Sequence, residues 1–228
     1  MSLYVDNWKE EFDTKLDKLE YEIYDALYND KDLYDKNIMI DKSTYSKIEN
    51  LYKLLFSLDS KIFNNEVLSP DELKRILTNI LGENAEVDEF VELYRRAYDD
   101  LWTRGMRDAL RIITYNIAEA LKLALAEQLG LVLNTVVMNY LQQNPGSQQF
   151  IINKLNELIG AIDDGDDVMF YKILVGLGVP SDVSRLLTVI WDNLTDLYTN
   201  YFDDTDVIEM DRWMKEEIEE VINNLNQI

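Results

Sequence analysis

The 228 residues include neither cysteine nor histidine, which excludes disulfides, thiolate nucleophiles, Cys-ligated zinc, histidine metal triads, Ser-His-Asp and Cys-His catalysis, and any histidine switch near neutral pH. Asp and Glu number 44 against 22 Lys and Arg, a formal net charge of -22; the summed field repels phosphate backbones and anionic lipid and favours basic partners or divalent cations. Hydrophobic residues make up 47% of the chain, enough for a folded core.

The opening MSLYVDNWKEEFD lacks both a basic region and an uninterrupted apolar run, so it does not read as a secretory signal. From Asp6 to Asn29, the residues Val5, Phe12, Leu16, Leu19, Ile23 and Ala26 recur at three- and four-residue steps with Trp8 beside them, which predicts one helix with a narrow apolar seam. The charged, turn-forming stretch Asp30 to Asp41 interrupts it. A second helix starts near Ser43, with the seam Ile48, Leu51, Leu55, Leu58 and Ile62. Matching seams and a short connection predict an N-terminal antiparallel hairpin over residues 6–63; pairing between copies of the chain is the competing use of the same seams.

Ser69-Pro70-Asp71-Glu72 spells a helix start: Ser as N-cap, Pro at the first helical position, and Glu placed to close a capping box. That third helix stops at Gly82. A further helix builds from about Glu86 through Tyr94, Tyr98 and Trp102 into Asp108 to Leu141, where apolar residues cover nearly the whole circumference. A helix apolar on almost all sides is a buried one, so one long central helix is expected over about 86–143. Gly105 with Ala109, and Ala120 with Ala124, place small residues four apart, where another backbone can come close; Gly130 is expected to bend the helix and not to end it. The most apolar run, Leu129 to Leu141, falls short of the roughly 20 residues that span a bilayer. Extending it upstream brings in Glu119, Lys122 and Glu127, so no membrane span is expected and the chain reads as cytoplasmic.

After the turn Asn144-Pro145-Gly146, Ser147 caps a short helix expected to end at Gly160. Asp163 to Asp167 fails as a calcium loop: counting from Asp163, the sixth residue is Val168 where Gly is needed and the twelfth is Leu174 where Glu is needed, so a solvated turn is expected. A helix over Val168 to Leu177 follows, ended by Gly178-Val179-Pro180. Ser181 or Asp182 then caps a helix with the seam Val183, Leu187, Ile190, Leu194, Leu197 and Tyr201, and a last helix from about Asp206 carries Val207, Met210, Met214, Ile218, Val221 and Leu225. These two form a C-terminal hairpin. Period-two alternation is missing, so the chain reads as all-α: a multi-helix bundle with a long central buried helix flanked by two antiparallel hairpins. A single domain, 1–228, is expected, with Asn64 to Ser69 the best place for a sub-boundary between the hairpin 6–63 and the main bundle 70–228.

Three constellations are candidates for function. Tyr21, Tyr24 and Tyr28 lie nearly opposite the seam of the first helix, beside Asp17 and Asp25, and tyrosine supplies rigid contact area with a hydroxyl that tolerates water. They are the candidate interaction face, with coverage by another part of the same chain as the plainer expectation. Arg95, Arg96, Arg104, Arg107 and Arg111 concentrate positive charge around the start of the buried helix, and Arg104, Arg107 and Arg111 form the candidate anion site. Acidic residues three or four positions away offer intrahelical ion pairs for most of them; Arg107 has none at four residues.

The third constellation is acidic. Glu86 with Glu89, and Glu217 with Glu220, are pairs three apart that share a helix face and can hold Mg²⁺. Helical nucleoside-triphosphate pyrophosphatases use such pairs but need a facing ExxD pair; Glu10/Asp13 and Glu22/Asp25 fit that spelling in the wrong order along the chain. No Gly-rich phosphate loop is present. The expected function is therefore a non-enzymatic, strongly acidic helical interaction or structural protein without a cofactor, engaging a basic protein partner or another copy of itself, and not nucleic acid or membrane directly. The composition is compatible with an accessory protein of a virus or mobile element. The alternatives are an acidic DNA-mimic inhibitor of a nucleic-acid-binding protein and a Mg²⁺-dependent pyrophosphatase-like hydrolase.

Overall fold

The structure is a computed structural model that describes residues 7–228; Val5 of the first seam lies outside the described residues. Among the described residues there are nine α-helices and no strand: α1 (Trp8–Tyr28), α2 (Lys42–Phe63), α3 (Pro70–Leu81), α4 (Ala85–Asp99), α5 (Thr103–Gln143), α6 (Gln148–Asp164), α7 (Asp167–Leu177), α8 (Ser181–Tyr201) and α9 (Asp204–Asn226). They form two compact units. The first comprises the described residues up to Asp30 together with Leu54–Ala120, and the second Lys31–Lys53 together with Leu121–Ile228. The segment 64–69 lies inside the first unit.

In the first unit, α3 starts as its sequence dictates. Ser69 Oγ accepts the Glu72 backbone N–H at 3.1 Å, Glu72 Oε1 accepts the Ser69 N–H at 3.1 Å, and Pro70 occupies the first turn. The helix α1 packs on α3 and α4. Its seam is buried at Trp8, Phe12, Leu16, Leu19, Ile23 and Leu27, so Leu27 takes the place expected for Ala26. The Phe12 ring meets Phe90 at 4.9 Å and Trp102 at 5.0 Å, and Trp8 stands edge-on to Trp102 at 5.3 Å. The aromatic end of this seam is thus taken by α4 and the turn after it, where the hairpin reading assigned it to α2.

The expected long helix over 86–143 is two helices. Asp100 closes α4, Leu101 takes the left-handed φ of 55°, and α5 begins at Thr103. Neither Gly nor Pro marks the break. Its cause is Trp102, whose indole packs on Trp8 and Phe12 and lies so close to Gly105 that a Cβ there would overlap the ring. Gly105 therefore makes room for an indole of its own segment and not for another backbone. The 41-residue α5 keeps the buried character expected of the central helix. By length and composition it could cross a membrane, and 67% of its most apolar window is buried.

In the second unit α6 packs on α7, α7 on α8, α8 on α9, and α9 back on α6, closing a four-helix arrangement that contains the expected C-terminal hairpin. Its seam in α9 is buried at Met210, Met214, Ile218, Val221 and Leu225; in α8 the aromatic seam residue is Tyr198, where Tyr201 was expected. The helix α6 passes through Gly160 and ends four residues later than expected, at Asp164. What stops it is Gly165, in the left-handed conformation at φ 64°, where a residue without Cβ has no steric penalty. Asp166 then caps α7 by accepting the Met169 N–H at 3.0 Å.

Candidate interaction site

The tyrosine stripe of α1 is on the surface of the first unit. Tyr21 is 78% exposed and Tyr24 46%, while Tyr24 and Tyr28 stack at 4.1 Å with ring planes 23° apart. Stacking holds two of the rings in a fixed geometry at low side-chain entropy. Asp17 and Asp25 on the same side are exposed. Lys18, next to the stripe, is committed to Glu86 of α4.

The arginines do not act together. Arg104 pairs with Asp13 at 3.2 Å and lies 5.2 Å from the Trp102 ring; Arg95 pairs with Asp71 at 3.1 Å and Glu92 at 3.6 Å; Arg96 lies over the Trp8 ring at 5.0 Å. Ion pairing thus absorbs Arg95 and Arg104, largely across helices where i,i+4 neighbours were expected. Arg107 and Arg111 line an open hollow with Ile62, Asn65, Glu66 and Leu110, so of the candidate anion site these two are brought together and Arg104 is not. Among the described residues Arg107 makes no ion pair.

The carboxylate pairs also part company. Glu89 is held by Lys15 at 2.8 Å and Glu86 by Lys18. Glu86 also faces Glu22 of α1, and one carboxylate oxygen of each is buried without a hydrogen-bond partner. Two carboxylates can satisfy each other only by sharing a proton. Glu22 is pushed above its ordinary range first by the side-chain hydrogen bond to Glu86 and then by burial, while that same bond and Lys18 hold Glu86 below its ordinary range. The basic partners make this a structural cluster of two cations, Lys15 and Lys18, and three acids, Glu22, Glu86 and Glu89.

In the second unit Glu217 of α9 is a different case. Its carboxyl lies against Gly130 of α5, and burial, then the charges of Glu127, Glu220 and Glu216, push it up to about 7. Glu220 is exposed. No group of three or more Asp or Glu side chains is gathered closely enough to hold a metal ion among the described residues.

Two buried polar side chains of α5 carry more of the second unit's architecture than any candidate read from the sequence. Lys122 is fully buried, with Glu209 at 2.9 Å, Asp206 at 3.5 Å, and the rings of Trp213 and Tyr198 at 5.0 and 5.4 Å from its ammonium. Gln128, also fully buried, accepts the Met39 N–H at 2.8 Å and donates to the carbonyls of Asn37 at 2.7 Å and Leu33 at 3.3 Å. It ties down the segment between α1 and α2. A polar side chain on an otherwise apolar circumference was the one signal available for either.

These features define the class: an all-α helical-bundle protein with a strongly acidic composition and an exposed tyrosine stripe. No family model, curated protein or solved structure matches the chain.

Proposed function

We propose that the chain is a non-enzymatic interaction protein that presents the Tyr21, Tyr24, Tyr28 stripe of α1, flanked by Asp17 and Asp25, to a basic macromolecular partner. The observation that carries the reading is the exposure of Tyr21 and Tyr24 on the face of α1 opposite its buried seam. Tyrosine is enriched where a surface must pack and also meet water, and the net charge of -22 selects for cationic partners. The rim charges set encounter rate and salt dependence, while the rings supply the contact.

Affinity capture from the native host with the wild-type chain and with Tyr21→Ser/Tyr24→Ser tests this. A basic protein retained by the wild type, released by salt and lost from the variant is the expected result. Equal capture by both would remove the tyrosine stripe from the reading.

A second reading, a Mg²⁺-dependent hydrolase, rests on Glu217 of α9, whose half-buried carboxyl lies against Gly130 of α5. A melting shift with Mg²⁺ beyond that of ionic strength alone, lost in Glu217→Gln, is what that reading requires.

A further inference from the structure

The helix α7, DVMFYKILVGL, is apolar on both its faces. Phe170, Ile173, Leu174 and Leu177 fill the interior of the second unit. The opposite face is in water: Val168 is 58% exposed, Met169 43% and Val175 40%, with Val168 and Val175 seven residues apart and therefore nearly in line along the helix. Between them stands Lys172, the only cation of α7, and beside them Gly176 is exposed.

Gly176 has no internal reason to be glycine. A Cβ built there meets nothing within 4 Å, and glycine inside a helix is about 1 kcal/mol worse than alanine. The packing of this chain does not require it; close approach by a backbone from outside would.

The rim of this face is acidic. Asp164, Asp166 and Asp167 lie at its N-terminal end, and Asp192 of α8 is close enough to Asp167 and to Asp196 to feel the charge of each. Partial burial, and then the like charges of Asp167 and Asp196, push the Asp192 carboxyl above its ordinary range. A second copy of the chain would bring the same acids against this rim and be repelled. A cationic segment with an apolar face would meet both features.

From this we infer that the outer face of α7 is a docking surface for a cationic amphipathic helix, its apolar side laid on Val168, Met169 and Val175 across Gly176 and its basic side chains on the rim formed by Asp167, Asp192 and Asp196. This surface belongs to the second unit and is separate from the tyrosine stripe. The mode is a helix laid against an apolar strip, with charge setting orientation.

The test is a fluorescence-anisotropy titration of the full chain with a short synthetic Leu/Lys helix that has one apolar face, and with a scrambled peptide of the same composition that has none. The amphipathic peptide binds at least about ten-fold more tightly than the scrambled one, and raising salt from about 0.05 to 0.3 M weakens it by a similar factor. Val168→Ser/Val175→Ser and, separately, Gly176→Leu each weaken binding about ten-fold without loss of helical circular dichroism, since all three positions are exposed. Tyr21→Ser/Tyr24→Ser leaves it unchanged, which separates this inference from the proposed function. Equal binding of both peptides, indifference to the α7 substitutions, or self-association of the chain that Val168→Ser/Val175→Ser abolishes would each overturn it.

Discussion

Gly130 of α5 lies directly under the carboxyl group of Glu217 of α9: a Cβ added at Gly130 would overlap Glu217 Oε2 and come within 3.4 Å of Glu217 Cβ. The absence of a side chain at one position is what lets an acid be half-buried at the other. Two predictions follow from this pair.

Gly130→Ala displaces the end of a flexible side chain, so the carboxyl swings outward. Helix propensity gains about 1 kcal/mol from the same change, and the net effect on stability at neutral pH is within about 1 kcal/mol. The informative readout is NMR titration of Glu217, whose midpoint falls from near 7 toward the ordinary glutamate range. Gly130→Leu also runs into Glu217 Cβ and is expected to destabilise by about 1–3 kcal/mol in urea unfolding.

Glu217 also sets a pH dependence. Its folded-state pKa, about 7, exceeds the ordinary value of 4.5, so between those values the folded chain binds more protons than the unfolded one. Its contribution to stability is therefore fully favourable below about 4.5 and is lost as pH rises through 7. Discounted for solvent screening, the loss is on the order of 1–2 kcal/mol. Glu217→Gln removes it: the variant melts higher than wild type at pH 8 and the difference closes by pH about 4.5. A constant difference across that window would contradict the assignment.

Lys122 is expected to be the most sensitive charge in the second unit. Lys122→Ala removes a buried cation from Asp206 and Glu209 together with the stem that fills the space beside Tyr198 and Trp213, and should cost about 3–5 kcal/mol. Lys122→Met keeps the volume, and because Glu209 is partly exposed and can hydrate, its cost is about 1–3 kcal/mol. Urea unfolding followed by circular dichroism ranks the two; an equal cost would mean that packing contributes little.

Gln128→Leu removes the acceptor of the Met39 amide and the donor to the carbonyls of Leu33 and Asn37. Leaving these groups unpaired costs about 2–4 kcal/mol. Hydrogen exchange localises the effect: the Met39 amide, protected in the wild type, exchanges fast in the variant while amides inside α8 change much less. Uniform loss of protection would instead mean that the segment between α1 and α2 is part of the cooperative core.

Tyr94 illustrates how far a sequence pattern reaches. Its apolar neighbours in α4 predict that it is buried, and it is; that its hydroxyl donates to the Leu68 carbonyl at 2.6 Å depends on a residue 26 positions away. The same holds for the candidate sites. The tyrosine stripe was legible because helix periodicity alone puts Tyr21 and Tyr24 opposite the seam. The breakup of the arginines was not, because Asp13 and Asp71 reach Arg104 and Arg95 only after the helices are packed.

What the residues determined by themselves is therefore everything that acts within one or two helical turns. The all-α class, the capping box at Ser69 and Glu72, and the seams of α1, α8 and α9 depend on spacing and on hydrogen bonds between near neighbours. Only tertiary packing decided the break at 100–102, where an indole drawn onto Trp8 and Phe12 outweighs a helical pattern with no breaker in it. It also decided the burial of Lys122 and Gln128 and the raised pKa of Glu217. Each of these is set by partners distant along the chain, and the free energy of a buried polar group depends on which atoms surround it in space.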